Sequence, residues 1–162
     1  MRNTMIYLGL ALLPMGAGAQ EKAQSNKHFW NTVETFATPE KIWAIWTDVP
    51  NWKKWDTGLK DAELEEPFGL NAKGKIISLQ GRKSRFKVTQ FEPGESYTFK
   101  TKLPFGALYV KRFLESEEDT TYFTHEVWFT GLTAGIFAKR FGPEFRNMLP
   151  EVMEKIKILA EE

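Results

Sequence analysis

The alternation of apolar and polar side chains predicts short β-strands through most of the chain. It is clearest at residues 96–102, where Tyr97 and Phe99 alternate with Thr98 and Lys100. A period of two is typical of a half-buried strand. Turn sequences such as Glu92-Pro93-Gly94 separate neighbouring segments, and short connections favour antiparallel pairing. The pattern predicts strands at residues 28–36, 59–66, 75–79, 82–91, 96–102, 107–115 and 120–130.

Two segments show helical spacing instead. Thr38-Pro39 predicts the start of a short helix that ends at Asp48-Val49-Pro50. Residues 134–160 carry an apolar stripe that is typical of a long amphipathic helix. Gly142-Pro143 predicts a break or kink in that helix, and Pro150 predicts a further bend. A sheet with one apolar face needs a cover, so the long helix is expected to pack on it.

The first 19 residues predict a cleaved signal peptide. Arg2 precedes an apolar run at residues 5–15, and Ala17-Gly18-Ala19 has the small residues of a cleavage site. The apolar run is too short for a membrane span, which needs about 20 residues. We therefore expect cleavage after Ala19, a polar leader at residues 20–27, and one domain at residues 28–162. The destination is the periplasm or the external medium.

Composition narrows the possible functions. The chain has 162 residues, 14% aromatic content, two histidines and no cysteine. Cleavage after Ala19 removes only one charged residue, Arg2, which leaves equal numbers of basic and acidic side chains. A net charge of zero predicts neither a nucleic-acid partner nor an anionic membrane surface as partner. No metal site and no cofactor are predicted, and the many large aromatic side chains indicate a roomy apolar interior.

The tryptophan-rich segment resembles a known family. The run W-x-x-W-x-D-V-P-x-W-x-x-W spans residues 43–55, F-E-P-G follows at 91–94, T-x-x-T-H-E-x-x-F-x-G at 121–131, and L-P at 149–150. Together they resemble the polyketide cyclase/dehydrase-like branch of the SRPBCC, or START-like, superfamily, over residues 29–161. The resemblance implies an α+β helix-grip fold. In that fold a curved antiparallel sheet of about six or seven strands wraps a long C-terminal helix and leaves an internal hydrophobic cavity.

The resemblance does not select one function, because superfamily members bind or transfer lipids, cyclise polyketides or oxygenate aromatic rings. The iron ligands of the oxygenases have no counterpart in this chain. We therefore interpret the sequence as an exported carrier of a hydrophobic small molecule, such as a fatty acid, lipid, isoprenoid or polycyclic compound. Two alternatives stay open: a cyclase or dehydratase that uses the same cavity, and a module whose aromatic interior is filled and whose surface binds a protein. The oligomeric state is open as well.

Two polar residues are the best candidates for chemistry. His125 shares a predicted strand face with Phe123 and Val127, so it is expected to point inward. There it could serve as a general acid or base, orient a ligand, or be satisfied by a neighbouring strand. Arg112 shares a face with Val110, but strand parity alone leaves open whether that face is interior.

The expected cavity wall combines inward strand positions with one face of the C-terminal helix. Trp52 and Trp55 are expected to close one end of the cavity, and this turn and the break at Gly142-Pro143 are candidate gates. The predicted ligand-binding residues are Trp52, Trp55, Phe86, Val88, Tyr97, Phe99, Arg112, Phe123, His125, Val127, Phe129, Phe141, Phe145, Met148 and Val152.

Overall fold

A computed structural model describes residues 25–162. The predicted signal peptide and most of the polar leader lie outside the described residues, so both stay predictions. The elements in chain order are strand β1 (His28–Thr35), helix α1 (Pro39–Thr47), a 3-10 helix (Val49–Lys54), and strands β2 (Leu59–Leu64), β3 (Lys73–Ser78), β4 (Lys83–Glu92), β5 (Ser96–Leu103), β6 (Gly106–Glu117) and β7 (Thr120–Gly131), followed by helix α2 (Ala134–Glu161).

The seven strands form one antiparallel sheet in the order β1-β7-β6-β5-β4-β3-β2. Register irregularities occur in β2 between Leu59 and Asp61 and in β4 between Val88 and Gln90. Such bulges bend a strand and increase its twist, which helps a sheet to curl. Helix α2 packs against β1, β7 and α1. This arrangement is the helix-grip fold that the resemblance implied.

Helix α2 is continuous, so a break at Gly142-Pro143 is wrong, while a kink there and the bend at Pro150 stay predictions. Pro143 and Pro150 both lie inside it. Each proline removes one backbone N–H, and therefore one hydrogen bond, from the helix. Burial of the apolar face of α2 outweighs the loss of these hydrogen bonds. Gly142 is itself buried, and a Cβ atom there would lie 2.7 Å from Cζ of Phe29 on β1. The helix thus gains a close contact with the sheet at the position where the sequence predicted a gate.

The elements divide the interior into two regions. Near α1, Trp46 and Val49 are fully buried, as is Ile156 of α2. Near the first half of α2, the helix residues Phe137, Phe141, Phe145 and Met148 are only partly buried. No helix within residues 25–162 combines the length and apolar character that crossing a bilayer requires.

Candidate functional site: a cavity with a buried arginine

Three polar side chains lie side by side across the concave face of the sheet. His125 on β7 pairs with Arg112 on β6, and Arg112 pairs with Tyr97 on β5. Directly paired residues of antiparallel strands point to the same face. All three are buried, with exposed fractions of 4%, 1% and 0%. The register therefore places Arg112 in the interior, which strand parity had left open.

Aromatic rings surround the Arg112 guanidinium. Its central carbon lies 4.6 Å from the Trp52 ring centroid, 4.8 Å from Trp55, 5.6 Å from Tyr97 and 5.7 Å from Phe99. A cation over an aromatic face is attracted by the ring quadrupole, and the attraction is stronger away from water. These rings therefore offset part of the cost of burying the charge.

One hydroxyl group completes the protein contacts of Arg112. Nη1 donates a hydrogen bond to Tyr97 Oη, which donates in turn to the Trp46 carbonyl oxygen at 3.0 Å. The same carbonyl accepts a hydrogen bond from Trp52 Nε1 at 2.9 Å. Among the described residues, no carboxylate lies within 4.0 Å of Arg112, and its Nε atom has no partner. Arg112 is therefore a buried cation with unused hydrogen-bonding capacity.

His125 has a similar free position. Its Nδ1 atom is buried and has no hydrogen-bond partner within the described part of the chain. Burial, and to a smaller extent the charge of Arg112, lowers the pKa of His125 well below its usual value. The imidazole is therefore neutral near pH 7. A neutral imidazole offers one donor and one acceptor nitrogen, so it can orient a ligand but cannot supply a proton as imidazolium.

A cavity of about 350 Å³ lies against Arg112 and His125. Its wall is largely apolar and is formed by strands β3 to β7, by the segment before β2, and by the first half of α2. Three of its residues, Arg82, Ser84 and Glu144, are exposed and mark the opening. Arg82 lies across this opening, since its guanidinium carbon is 5.4 Å from the ring centroid of Phe141 on α2.

About half of the predicted ligand-binding residues line this cavity. They are Phe99, Arg112, His125, Val127, Phe129, Phe141, Phe145 and Met148. Whether they contact a ligand stays a prediction.

The other predicted residues lie in the packed core instead. Trp52 and Trp55 are 0% and 1% exposed and lie outside the cavity wall, so their expected role as a gate stays a prediction. The Trp52 ring stacks on Phe86 at 5.5 Å and on Phe99 at 5.6 Å between centroids, so it is packed between core rings. The other core residues outside the cavity wall are Val88, Tyr97, Phe123 and Val152.

Sequence reasoning missed Asp56, which lines the cavity. Its Oδ1 accepts a hydrogen bond of 3.0 Å from the Gly58 amide, which fixes the carboxyl group in the turn after the 3-10 helix. Burial raises the pKa of Asp56, while the nearby charge of Arg112 opposes that rise. No spacing rule marks this residue; the only signal is its position directly after Trp55. Leu59, Ile76, Leu103, Leu108 and Phe137 were also missed.

The geometry favours binding of an apolar molecule with one polar end. Most of the wall can only exclude water, whereas Arg112 and His125 can donate to an acceptor atom. Within residues 25–162, no three histidine, aspartate or glutamate side chains come together as metal ligands. The site combines the side-chain nitrogens of Arg112 and His125 with the carboxyl group of Asp56, whose pKa is raised.

The fold and the cavity define a helix-grip protein, and comparison with known proteins identifies its family. Residues 27–157 match the family described as polyketide cyclase / dehydrase and lipid transport. The chain belongs to this family. No curated protein matches it.

Solved structures support the fold at low sequence identity. A hypothetical protein from Helicobacter pylori superposes with a TM-score of 0.69 at 12% identity, covering 97% of this chain and 99% of that one. A protein from Arthrobacter aurescens gives 0.64 at 19% identity, with 86% and 90% covered. BexL, a di-domain aromatase/cyclase of the BE-7585A biosynthetic pathway, gives 0.61 at 15% identity, with 83% and 50% covered. Identities this low establish a shared fold and leave function to the site.

Proposed function

We propose that the protein is an exported binding or carrier protein for a hydrophobic small molecule. The observation that supports this proposal best is that Arg112 and His125 line a largely apolar cavity, and that each has a buried nitrogen with no hydrogen-bond partner among residues 25–162. Buried polar groups are normally paired, and the polar end of a ligand would supply a partner. The ligand is then a fatty acid, lipid, isoprenoid or polycyclic compound with a polar end.

Apolar contacts would supply most of the affinity, since each buried methylene contributes about 0.8 kcal/mol. The polar end would set the orientation. An acceptor oxygen near Arg112 would accept a charge-assisted hydrogen bond, which is shorter and stronger than a neutral one. Because the rings around Arg112 already hold the guanidinium in place, little ordering would be needed when the ligand binds.

The first test is chemical identification of the ligand. The protein starting at residue 20 would be purified without detergent, weighed by native mass spectrometry, and extracted with solvent. We expect a stoichiometric hydrophobic adduct, or uptake of at least one compound from a panel of fatty acids, fatty alcohols, prenols and polycyclic compounds. A clean mass together with no uptake from the panel would overturn the carrier proposal.

A cavity-filling variant makes this test specific. Val110 lines the cavity and is 5% exposed, so Val110→Phe would place a ring in the space proposed for the ligand. We expect it to lose uptake. The matched control is Leu70→Phe, a substitution of similar kind at a position 58% exposed and outside the cavity wall. Equal uptake by both variants would place the ligand elsewhere.

A second candidate function, a cyclase or dehydratase, is favoured by Asp56. A carboxyl group with a raised pKa can abstract a proton near neutral pH, and a nearby cation can stabilise the enolate that forms. In that reaction Asp56 would remove a proton from carbon next to a ligand carbonyl, and Arg112 would bind the oxygen. His125 was the sequence-based candidate for acid or base, but its lowered pKa makes it a weaker base than an ordinary imidazole.

Proton exchange separates the two candidates. For an enzyme we expect the protein to catalyse deuterium uptake from D2O at the carbon between the carbonyls of a hydrophobic β-keto ester, followed by NMR. Asp56→Asn would abolish the exchange, whereas His125→Gln would reduce it less. No catalysed exchange by the wild-type protein for a β-keto ester that it binds would leave the carrier function.

A further inference from the structure

The cavity opens at one end of the sheet, where strands meet their connecting turns. We call this end the mouth edge. In an antiparallel meander alternate turns lie at the same edge. The mouth edge therefore contains the β3–β4 turn, the β5–β6 turn, the β7–α2 turn and the start of β1. Two hydrogen bonds join these turns, from the Leu132 amide to the Phe105 carbonyl at 2.9 Å and from Thr133 Oγ1 to the Pro104 carbonyl at 2.6 Å.

Exposed apolar side chains concentrate at the mouth edge. Seven large hydrophobic side chains of residues 25–162 are strongly exposed, and four of them belong to this edge. Leu132 is 91% exposed, Phe105 80%, Ile136 69% and Leu79 60%. A cluster of this kind around an opening has no role in the packing of the domain and is typical of a contact surface.

The backbone at Phe105 strengthens this argument. Phe105 has a φ of 55°, in the left-handed region that bulky residues rarely occupy. The turn thus carries a strained backbone and an exposed phenylalanine at one position, where a glycine would relieve the strain and remove the ring. Strain of this kind at an exposed position points to a function for the side chain.

Charge is also distributed unevenly between the two edges. Neither residues 96–114 nor residues 127–143 contain an acidic side chain. Exposed basic residues of the mouth edge are Lys27, Arg82, Lys83, Lys102, Lys139 and Arg140, and its acidic residues include the cavity-lining Asp56 and Glu144 and the Glu126 that contacts His28. The turns of the opposite edge carry Glu65, Glu66, Glu92, Glu95, Glu117, Glu118 and Asp119.

We propose that the mouth edge docks reversibly on an anionic lipid bilayer. Phe105, Leu132 and Ile136 would enter the interfacial region, and the basic side chains around them would lie at the level of the anionic head groups. The acidic opposite edge would orient the molecule by repulsion from the same surface. This orientation turns the cavity opening towards the membrane. The docking surface extends the proposed carrier function, but its test requires no cavity ligand.

Vesicle binding tests the proposal. The protein starting at residue 20 would be sedimented with vesicles of phosphatidylcholine alone or with an equal part of phosphatidylglycerol, at about 0.02 M and about 0.5 M NaCl. We expect binding to the anionic vesicles at low salt, and at least tenfold weaker binding to neutral vesicles or at high salt. No binding to anionic vesicles at low salt would overturn the proposal.

Matched variants separate docking from general stickiness. Phe105→Ser with Leu132→Ser should weaken vesicle binding at least tenfold, as should Lys102→Glu with Lys139→Glu. The controls at the opposite edge are Phe36→Ser with Leu70→Ser, and Lys73→Glu with Lys157→Glu; they should change binding less than about twofold. Equal losses at both edges would overturn the proposal, and so would capture of an acidic protein in preference to vesicles.

The outcome of the vesicle-binding experiment does not depend on whether the carrier proposal is right. Val110→Phe fills the cavity and leaves the mouth edge unchanged, so it should bind vesicles like the wild-type protein. If vesicle binding fails while ligand uptake succeeds, the docking surface is wrong and the carrier proposal stands. If the reverse is found, the carrier proposal is wrong and the docking surface stands.

Discussion

At the scale of single residues, Arg112 joins the packed core to the cavity. A buried cation is costly unless its surroundings compensate the lost hydration. Here the compensation comes from aromatic faces and one tyrosine hydroxyl, while no carboxylate of residues 25–162 forms an ion pair with it. A protein carboxylate in contact would have neutralised Arg112 towards any ligand. The aromatic contacts stabilise the charge and leave Nε free.

Arg112 and Tyr97 should be energetically coupled through their hydrogen bond. Tyr97→Phe leaves a buried guanidinium nitrogen without its acceptor, so we expect the free energy of unfolding to fall by about 1.5–3 kcal/mol. In an Arg112→Met background the same substitution should cost less than half as much, since no cation then needs the hydroxyl. Urea unfolding of the four proteins measures the cycle. Equal costs in both backgrounds would contradict the coupling.

Acid should destabilise the protein through His125. Its pKa is lowered in the folded state, so below the ordinary value of about 6.5 the unfolded chain binds a proton that the folded chain refuses. The unfolding free energy should fall by up to about 1.4 kcal/mol per pH unit below that value, until the folded-state pKa is reached. His125→Gln should remove this part of the loss between about pH 7 and pH 5.

The other histidine provides the control for this experiment. His28 lies at the start of β1, where Nε2 is 2.5 Å from Glu126 Oε1. His28→Gln leaves the buried imidazole in place and should keep the acid sensitivity of the wild-type protein. If unfolding curves at both pH values show His125→Gln as acid-sensitive as His28→Gln, the buried imidazole is not the cause.

At the scale of elements, the pattern of apolar and polar residues predicted nearly all strand and helix positions that depend on neighbouring residues in the chain. Period-two alternation, together with β-branched and aromatic residues between turn sequences, identified all seven strands to within a few residues. Alternation is informative because inward and outward side chains must differ where one face of a sheet is buried. It failed at Gly142-Pro143, where local propensity predicted a break. The contact between Gly142 and Phe29 is formed by residues more than a hundred positions apart, and no local signal contains it.

That contact gives a prediction for helix α2. Replacing a helical glycine by alanine usually stabilises a helix by up to about 1 kcal/mol. Gly142→Ala should do the opposite, because its Cβ would meet the buried ring of Phe29 at 2.7 Å. Gly135→Ala is the matched control in the same helix, since its Cβ would meet only Lys27 Cε at 3.7 Å. Thermal unfolding should rank Gly135→Ala at or above the wild-type protein and Gly142→Ala below it; the reverse order would contradict the packing argument.

At the scale of the whole molecule, the sequence was less informative because the relevant properties depend on topology. Strand parity could not place Arg112, since Tyr109 and Phe113 on one face of β6 are as apolar as Val110 and Leu114 on the other. The register with His125 decides the question. Composition similarly predicted a net charge of zero after cleavage at Ala19, whereas the order of the strands brings basic turns together at one edge and acidic turns at the other. The net charge of a chain does not show how its charges are distributed over the folded surface.

Export is the whole-molecule property that the sequence predicts and that needs its own test. Expression of the full chain in a Gram-negative host should give periplasmic protein whose intact mass corresponds to a chain beginning at Gln20. Ala17→Glu with Ala19→Glu should block cleavage, because charged residues replace the small ones of the predicted site. Ala23→Glu, just beyond that site, is the control and should be cleaved normally. Recovery of uncleaved wild-type chain from the cytosol would contradict export, and the anionic surface available for docking would then be the inner face of the cytoplasmic membrane.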